Sequence, residues 1–329
     1  MKQRIAIIGA GISGLTLAQS LKEYADVVVF DKARGVGGRM STRYVDPFYF
    51  DHGTQFFTAR SKSFQQFIAP LIATGLIAEW TGKVVTYQAE NVLKDRLWFE
   101  PHYVAVPHMN SLSKHMAMGI DVRLNAEIAP LIEKRIDGWH LFKTDGTALG
   151  RFDWVISTAP PVQTLNLFGP VLPADSALHD CQLRGCYTLM IGFHTTWSKP
   201  WMAAKVHGRA IEWIAVNSSK PGRNKDVTSI VVHSSNDWAQ QHIEDDAHTT
   251  QAYLINQFED VTGIACENAD YLSMQRWKYA ISEQNEKPEF YLDEQQNIAA
   301  IGDWGSASRI ESVWLNAKKL ANDIALLVK

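Results

Sequence analysis

Gly9, Gly11 and Gly14 stand in the run RIAIIGAGISG, after one apolar stretch and before another, and this placement constrains the fold more than any other feature. Arg4 to Ile8 reads as a strand and Ile12 to Glu23 as a helix. The first glycine permits the tight turn between them, the second lets backbone approach a pyrophosphate, and the third allows helix to pack closely on sheet. The next apolar run, VVVFD, ends on Asp31, an acidic side chain placed to accept hydrogen bonds from a ribose. Strand, glycine turn, helix and acid-terminated strand open a doubly wound α/β sheet that binds a dinucleotide over a helix N-terminus.

The following segment, DKARGVGGRMST, narrows the dinucleotide to a flavin. Adjacent glycines at Gly37 and Gly38 let the chain pass close to a bulky cofactor, and Arg34 and Arg39 offer planar, permanently charged forks for phosphate oxygens. A nicotinamide dehydrogenase has no obvious use for such a second loop.

At 329 residues and 46% hydrophobic, the chain is long enough for two cores. A net charge of −3 gives no reason to expect nucleic acid or an anionic membrane as partner. There is no apolar run of roughly eighteen residues, and the early strand leaves no room for a signal peptide, so a cytoplasmic protein is expected. Cys181, Cys186 and Cys266 form an odd set without CxxC spacing and read as structural thiols. The histidines show no metal-ligand spacing, so no metal site is expected.

An apolar-periodic helix at Phe64 to Ile72 and the strand-like GKVVTYQ depart from the nucleotide-binding pattern. DWVISTAPP, Asp153 to Pro161, reads as a buried strand stopped by paired prolines. The runs YTLMIGFH, AIEWIAVN and SIVVHSS suggest an antiparallel sheet with one covered face, from the alternation at Ile211, Trp213 and Ala215. A helix is expected from about Asp246 to Val261. NIAAIGDW is strand-like and leads into a helix over Ile310 to Leu327.

The first sixty residues resemble the FAD-binding amine oxidase superfamily, and DHGTQFFTAR, Asp51 to Arg60, resembles its renalase branch with bacterial members. The likeness recurs at WIAVNSSKPGR, QRWKYA and IGDWGSASRIESVW. It implies a two-domain, Rossmann-like flavoprotein with a discontinuous FAD-binding domain (1–60, 100–165 and 291–329) and an antiparallel-sheet substrate domain (61–99 and 166–290). FAD is then held without a covalent link by Gly9, Gly11, Ile12, Ser13, Gly14, Asp31, Lys32, Arg34, Gly38, Arg39, Gly53 and Thr54 from the N-terminal part. Ile128, Thr158, Ala159 and Pro160 join from the middle, and Gly302, Asp303, Arg309, Ile310 and Glu311 from the last segment.

The same resemblance implies a substrate side made by Thr54, Gln55, Trp213, Asn217, Trp277 and Tyr279. Lys220 and Arg223 are chemically suited to phosphates, but KPGRNK has the composition of a solvated turn, so both are expected at the surface. Asp51 and His52 look like an acid/base pair, yet hydride transfer from a dihydropyridine needs no general base, and His52 reads as structural. Ser308, Ser312, Val313, Ala317 and His108 depart from the branch's usual smaller residues. The activity implied is oxidation of isomeric dihydronicotinamide nucleotides, with oxygen as acceptor and the protein a monomer or weak oligomer. A flavin amine oxidase acting on a small amine is the alternative within the class. Phytoene-like or porphyrinogen oxidation is a weaker one, and a non-catalytic escort-type binding protein the alternative outside the class.

Overall fold

A run of β-branched residues buried on both faces forms a parallel strand only where both sides are covered, and the N-terminal part of the chain meets that condition. The computed structural model describes residues 2–88, 93–282, 288–305 and 308–329. The chain divides into two units, one comprising Met1–Gly38, Ser113–Leu183 and Ser282–Lys329, the other Arg39–Leu112 and Arg184–Ile281. The segment between Arg39 and Arg60 groups with the second unit.

Unit 1 is built on a six-stranded sheet. Its strands are β1 (Arg4–Ile8), β2 (Asp26–Phe30), β9 (Asp121–Arg123), β12 (Trp154–Ser157), β18 (Phe290–Asp293) and β19 (Ile298–Ile301), in the order β18-β19-β12-β1-β2-β9. All pairings are parallel except β18 with β19. Helices α1 (Ile12–Leu21) and α7 (Ile310–Leu327) pack Leu17, Leu21, Leu320 and Ile324 against Ile5, Ile7 and Ile156 on one face. Ala6, Val28, Phe30, Phe152 and Phe168 fill the core of the other face. The antiparallel pair β10 (Trp139–Phe142) and β11 (Ala148–Phe152) turns through Gly146, whose φ of +87° glycine tolerates. The chain continues from β1 to β2 on one side, whereas β12 lies on the other, so β1 is the point where strand order reverses. Open α/β sheets bind ligands at the carboxyl ends of strands at such a point.

Unit 2 is a seven-stranded sheet of β6 (Val84–Tyr87), β7 (Leu93–Arg96), β13 (Leu183–Phe193), β14 (Ala203–Val206), β15 (Ile211–Val216), β16 (Thr228–Ser234) and β17 (Tyr271–Ser282). The order is β17-β13-β16-β15-β14-β6-β7, with β14 and β6 parallel. The expectation of one covered face is corrected. Leu189, Ile191, Ile214 and Val232 bury one face under α6 (Ala247–Thr262), and Met190 and Val231 bury the other against Phe48 and Phe50. Those phenylalanines belong to a hairpin of β3 (Thr42–Val45) and β4 (Phe48–Asp51). A helix, α2 (Lys62–Ala73), precedes the short strand β5 (Ile77–Glu79). Among the described residues, no helix is long and apolar enough to cross a membrane.

Candidate active site

At the carboxyl end of β1, the glycine spacing becomes a steric statement. Gly9 has φ +115°, and a Cβ on it would sit 2.3 Å from Thr158 Oγ1; one on Gly14 would sit 2.0 Å from the Gly9 carbonyl oxygen. Real side chains do not fit at either distance, so both glycines are required by the packing of turn, helix and β12 loop. Gly11 is different: a Cβ there would meet nothing within 4 Å. Its glycine serves space outside the protein's own packing, which fits backbone approach to a pyrophosphate.

The second glycine loop folds onto the first. The Gly37 amide donates to Ala10 O at 2.9 Å, and Gly38, at φ +52°, would place a Cβ 3.5 Å from Gly11 Cα. Asp31, just past β2, accepts the Ala10 amide on Oδ2 and the Ala33 amide on Oδ1, each at 2.7 Å. A carboxylate has about four lone-pair sites, so Asp31 braces the turn and keeps capacity for ribose hydroxyls. Thr158 donates to Ile8 O and Gly9 O, tying the β12 loop to the turn. Ile12 and Ser13 are buried in the first turn of α1, and Ile128 in the core beside β2. Ala159 is partly buried, and Pro160 caps α4 (Pro161–Phe168). Lys32 and Arg34 are exposed.

In the last segment, Gly302 leaves room for the Trp304 ring, which would lie 2.6 Å from a Cβ. Asp303 is 3% exposed, and its Oδ2 accepts the Ser308 hydroxyl at 2.8 Å. Ser308 Oγ in turn accepts the Ser282 amide at 2.9 Å, and the Ser282 hydroxyl donates to Asp303 O. Ser308, singled out as a departure, thus orients the carboxylate. Ser306 and Ala307 of that motif lie outside the described residues. Arg309 is the exposed N-cap residue of α7, Ile310 is partly buried, and Glu311 is buried in the first turn.

Unit 2 holds the feature that the sequence concealed. Lys220 is fully buried and Arg223 only 7% exposed, which corrects their expected place at the surface. Both converge on Asp51, itself fully buried: Lys220 Nζ lies 3.2 Å and Arg223 Nη2 2.6 Å from Oδ2. The Thr42 hydroxyl and the Met109 amide donate to Oδ1 at 2.7 and 3.0 Å. A buried charge is tolerated when paired and hydrogen-bonded, and this carboxylate has four partners. Burial would raise the Asp51 carboxyl, but Lys220, Arg223 and the hydrogen bonds hold it well below the usual range. One carboxylate cannot compensate two cations. Burial, with Arg223 adding to it, accordingly lowers Lys220 to about 8 despite the attraction of Asp51.

Gln55, 6% exposed, joins the cluster: its Oε1 accepts from Lys220 Nζ at 3.2 Å. Its Nε2 donates to Asp51 O and Gly53 O and lies 3.3 Å from His233 Nε2. Asn217, fully buried, accepts the Asp51 amide and donates to Tyr49 O, so it braces β4. The Thr54 amide donates to Arg39 O, against which a Cβ on Gly53 would collide at 1.9 Å. Arg39 Nη1 donates to Ala280 O. The Trp277 indole donates to His52 O at 3.0 Å and its ring stacks on His52, while Tyr279 is partly buried. Trp213 is partly buried and packs on Phe56.

Asp51 and His52 do not form a proton-transfer pair. The carboxylate is occupied by the cations, and His52 faces Phe50 O and Ser41 Oγ. His233 and the anchoring role of Asp51 were missed in the sequence. The available signal was an acid closing the apolar FYFD strand together with Lys220 and Arg223 three positions apart.

A family model described as an NAD(P)-binding Rossmann-like domain matches residues 7–71. Similar solved structures include an Exiguobacterium sp. 255-15 protein assigned as a protoporphyrinogen oxidase, at 13% identity, covering 99% of each chain with a TM-score of 0.78. A putrescine oxidase bound to putrescine aligns at 15% identity over 98% of this chain and 99% of its own, TM-score 0.73. Cyclohexylamine oxidase from Brevibacterium oxydans IH-35A aligns at 13% identity over 99% of each chain, TM-score 0.73. At these identities the likeness establishes architecture: the chain has the mixed α/β fold of these oxidases, opened by a Rossmann-like dinucleotide module.

Proposed function

We propose that the protein is an FAD-dependent oxidoreductase of the oxidase type, with the flavin held without a covalent bond. The observation that carries this reading is the turn after β1, where Gly9 and Gly14 are filled by the protein's own packing and Gly11 faces open space. The fold shared with proteins named as oxidases supports it. Gly11, the α1 N-terminus and the Gly37-Gly38 loop suit a pyrophosphate, Asp31 an adenosine ribose, and the Ser308-oriented Asp303 hydroxyls of the flavin chain. FAD when bound supplies a two-electron acceptor.

For the substrate, we favour an isomeric dihydronicotinamide nucleotide, with oxygen as final acceptor. The support is electrostatic: the buried cluster of unit 2 carries two cations against one carboxylate, an environment that favours a neutral ring on an anionic nucleotide over a cationic amine. Gln55 and the aromatic side chains Trp213, Trp277 and Tyr279 supply polar and flat surfaces to orient such a ring. A small amine is the second reading, favoured by the putrescine and cyclohexylamine oxidases among the similar structures.

The test has two stages. The purified protein should be yellow and release FAD on denaturation; a colourless protein that FAD cannot reconstitute overturns the flavoprotein reading. Anaerobic mixing with dihydronicotinamide isomers should then bleach the flavin band within seconds. Bleaching by amines and not by these isomers transfers the assignment to an amine oxidase.

A further inference from the structure

We infer that unit 2 carries a further small-molecule site, built to take a flat aromatic ring bearing one phosphate, as in a nucleoside monophosphate unit. The site is a cavity of about 500 Å³ at the open end of the β6–β7 hairpin, where Val84 stands opposite Arg96. That volume is in the range usual for small-ligand pockets. The loop after β5 and the segment after β7 supply its walls, and all of it lies within unit 2. Two indoles are fixed there by the protein's own contacts. Trp80, 1% exposed, donates its Nε1–H to Ser219 Oγ at 3.0 Å, and Lys220 Nζ sits 5.3 Å from its ring centroid. Trp98 stacks on the His102 imidazole with centroids 3.7 Å apart and meets Trp80 edge-on at 5.6 Å. Beside them Leu97 is 73% and Phe99 94% exposed. Immobilised indoles next to a bare phenyl ring form a stacking surface that receives a flat ring with little loss of side-chain freedom.

The charges on the lining define the rest of the ligand. Lys83 is paired with Asp95 at 2.7 Å, and Glu100 is paired with Arg60. Arg96 and Glu79 have no ion-pair partner among the described residues. An unengaged guanidinium beside aromatic faces is a planar fork for a phosphate. Glu79 suits an amino group on the ring and opposes a second anionic group. Phe56, the residue after Gln55, touches Trp98 at 5.4 Å and Trp213 at 5.8 Å, so aromatic contact joins the cavity to the side chains proposed to orient a substrate ring. The nucleotide unit therefore has two sources: the adenosine half of a dinucleotide whose other ring lies at Trp213, or a separate nucleotide. Binding rests on unit 2 alone, and only the first source rests on the dihydronicotinamide reading.

Calorimetric titration of AMP into the full-length protein, with excess FAD present to fill the glycine turn, reads the site. AMP should bind with a Kd below about 1 mM, and ribose 5-phosphate, which lacks the ring, should not bind. Phe99→Ser and Arg96→Gln should each weaken AMP by about fivefold or more. Adenosine, which lacks the phosphate, should bind wild type and Arg96→Gln equally. Both side chains are exposed, so the variants keep the fold. Absence of AMP binding, or a smaller loss in either variant, overturns the inference. Anaerobic bleaching of the flavin by dinucleotide and mononucleotide dihydronicotinamide isomers then separates the sources. If the substrate supplies the unit, AMP competes with the dinucleotide isomer, and Phe99→Ser raises the half-saturating concentration of that isomer and not of the mononucleotide. If a separate nucleotide supplies it, AMP and the dinucleotide isomer bind together. Bleaching by neither isomer removes the dihydronicotinamide reading and the first source with it, while the calorimetric result still decides the site.

Discussion

Replacing Asp51 by Asn tests how much of unit 2 rests on one buried charge. The side chain keeps its shape, but the Lys220 ammonium and Arg223 guanidinium, now 3.2 and 2.6 Å from a neutral amide, lose their shared counter-ion. None of the three residues is more than 7% exposed, so water does not replace it. Removing one member of a buried ion pair costs about 3–5 kcal/mol. Lys220, already lowered to about 8, relieves part of this by losing its proton, which favours the lower end. For a domain of about 150–250 residues each kcal/mol moves the midpoint by about 2–4 °C, so a fall of roughly 6–12 °C is expected at pH 7. The pH dependence adds a sharper requirement. In the variant Lys220 is neutral when folded and charged when unfolded below pH 8, so stability rises with pH there, while in the wild type that rise begins only near 8. The gap between the two proteins should narrow from pH 6 to 8 in calorimetric scans. A midpoint within 2 °C of wild type at pH 7, or a gap independent of pH, refutes the reasoning.

The fingerprint glycines should separate into two kinds. Gly14→Ala, with its Cβ 2.0 Å from the Gly9 carbonyl, should lower the thermal midpoint of the apoprotein. Gly11→Ala should leave that midpoint unchanged and weaken FAD at least tenfold in fluorescence titrations. Ser308→Ala removes the hydroxyl on the Asp303 carboxylate; a hydrogen bond worth about 0.5–1.5 kcal/mol predicts a roughly 2- to 12-fold weaker FAD complex by the same titration. The burial-lowered Lys220 makes the folded state bind fewer protons than the unfolded one between about 8 and its ordinary 10.5. Wild-type stability should therefore carry an upward component over that interval that Lys220→Met lacks, measured by urea unfolding. On the acid side, the depressed Asp51 contributes stability above the ordinary carboxyl value that is lost as pH falls toward its folded value, and Asp51→Asn should lack that loss.

Local pattern made the nucleotide module legible. The strand Arg4–Ile8 and the helix Ile310–Leu327 have the expected bounds because burial and periodicity agree along them. The hairpin of Thr42–Val45 and Phe48–Asp51 and the long strand Tyr271–Ser282 were not legible, because neither shows an alternation that stands out from its neighbours. The covered second face of the unit 2 sheet was hidden for a related reason: Ala215 and Trp213 look like an alternating pattern, but the hairpin that covers that face is remote in sequence. Lys220 and Arg223 were misjudged because KPGRNK has turn composition. The distant Asp51 is the counter-ion that makes their burial possible, and no local window contains it with them. Ser308 lies only five residues after Asp303, within one motif, and its pairing depends on the local turn rather than on a distant partner.

The six-stranded sheet takes its strands from three separate stretches of chain, and β19, from the last of them, closes the outer edge of β12. During vectorial synthesis that edge emerges early and waits, unpaired, while the whole excursion from Arg184 to Ile281 is translated. An unmatched, largely apolar strand rim is a template for adhesion to other nascent chains. Assembly of this sheet therefore has a vulnerable interval that lasts until β19 is delivered to the exposed edge of β12.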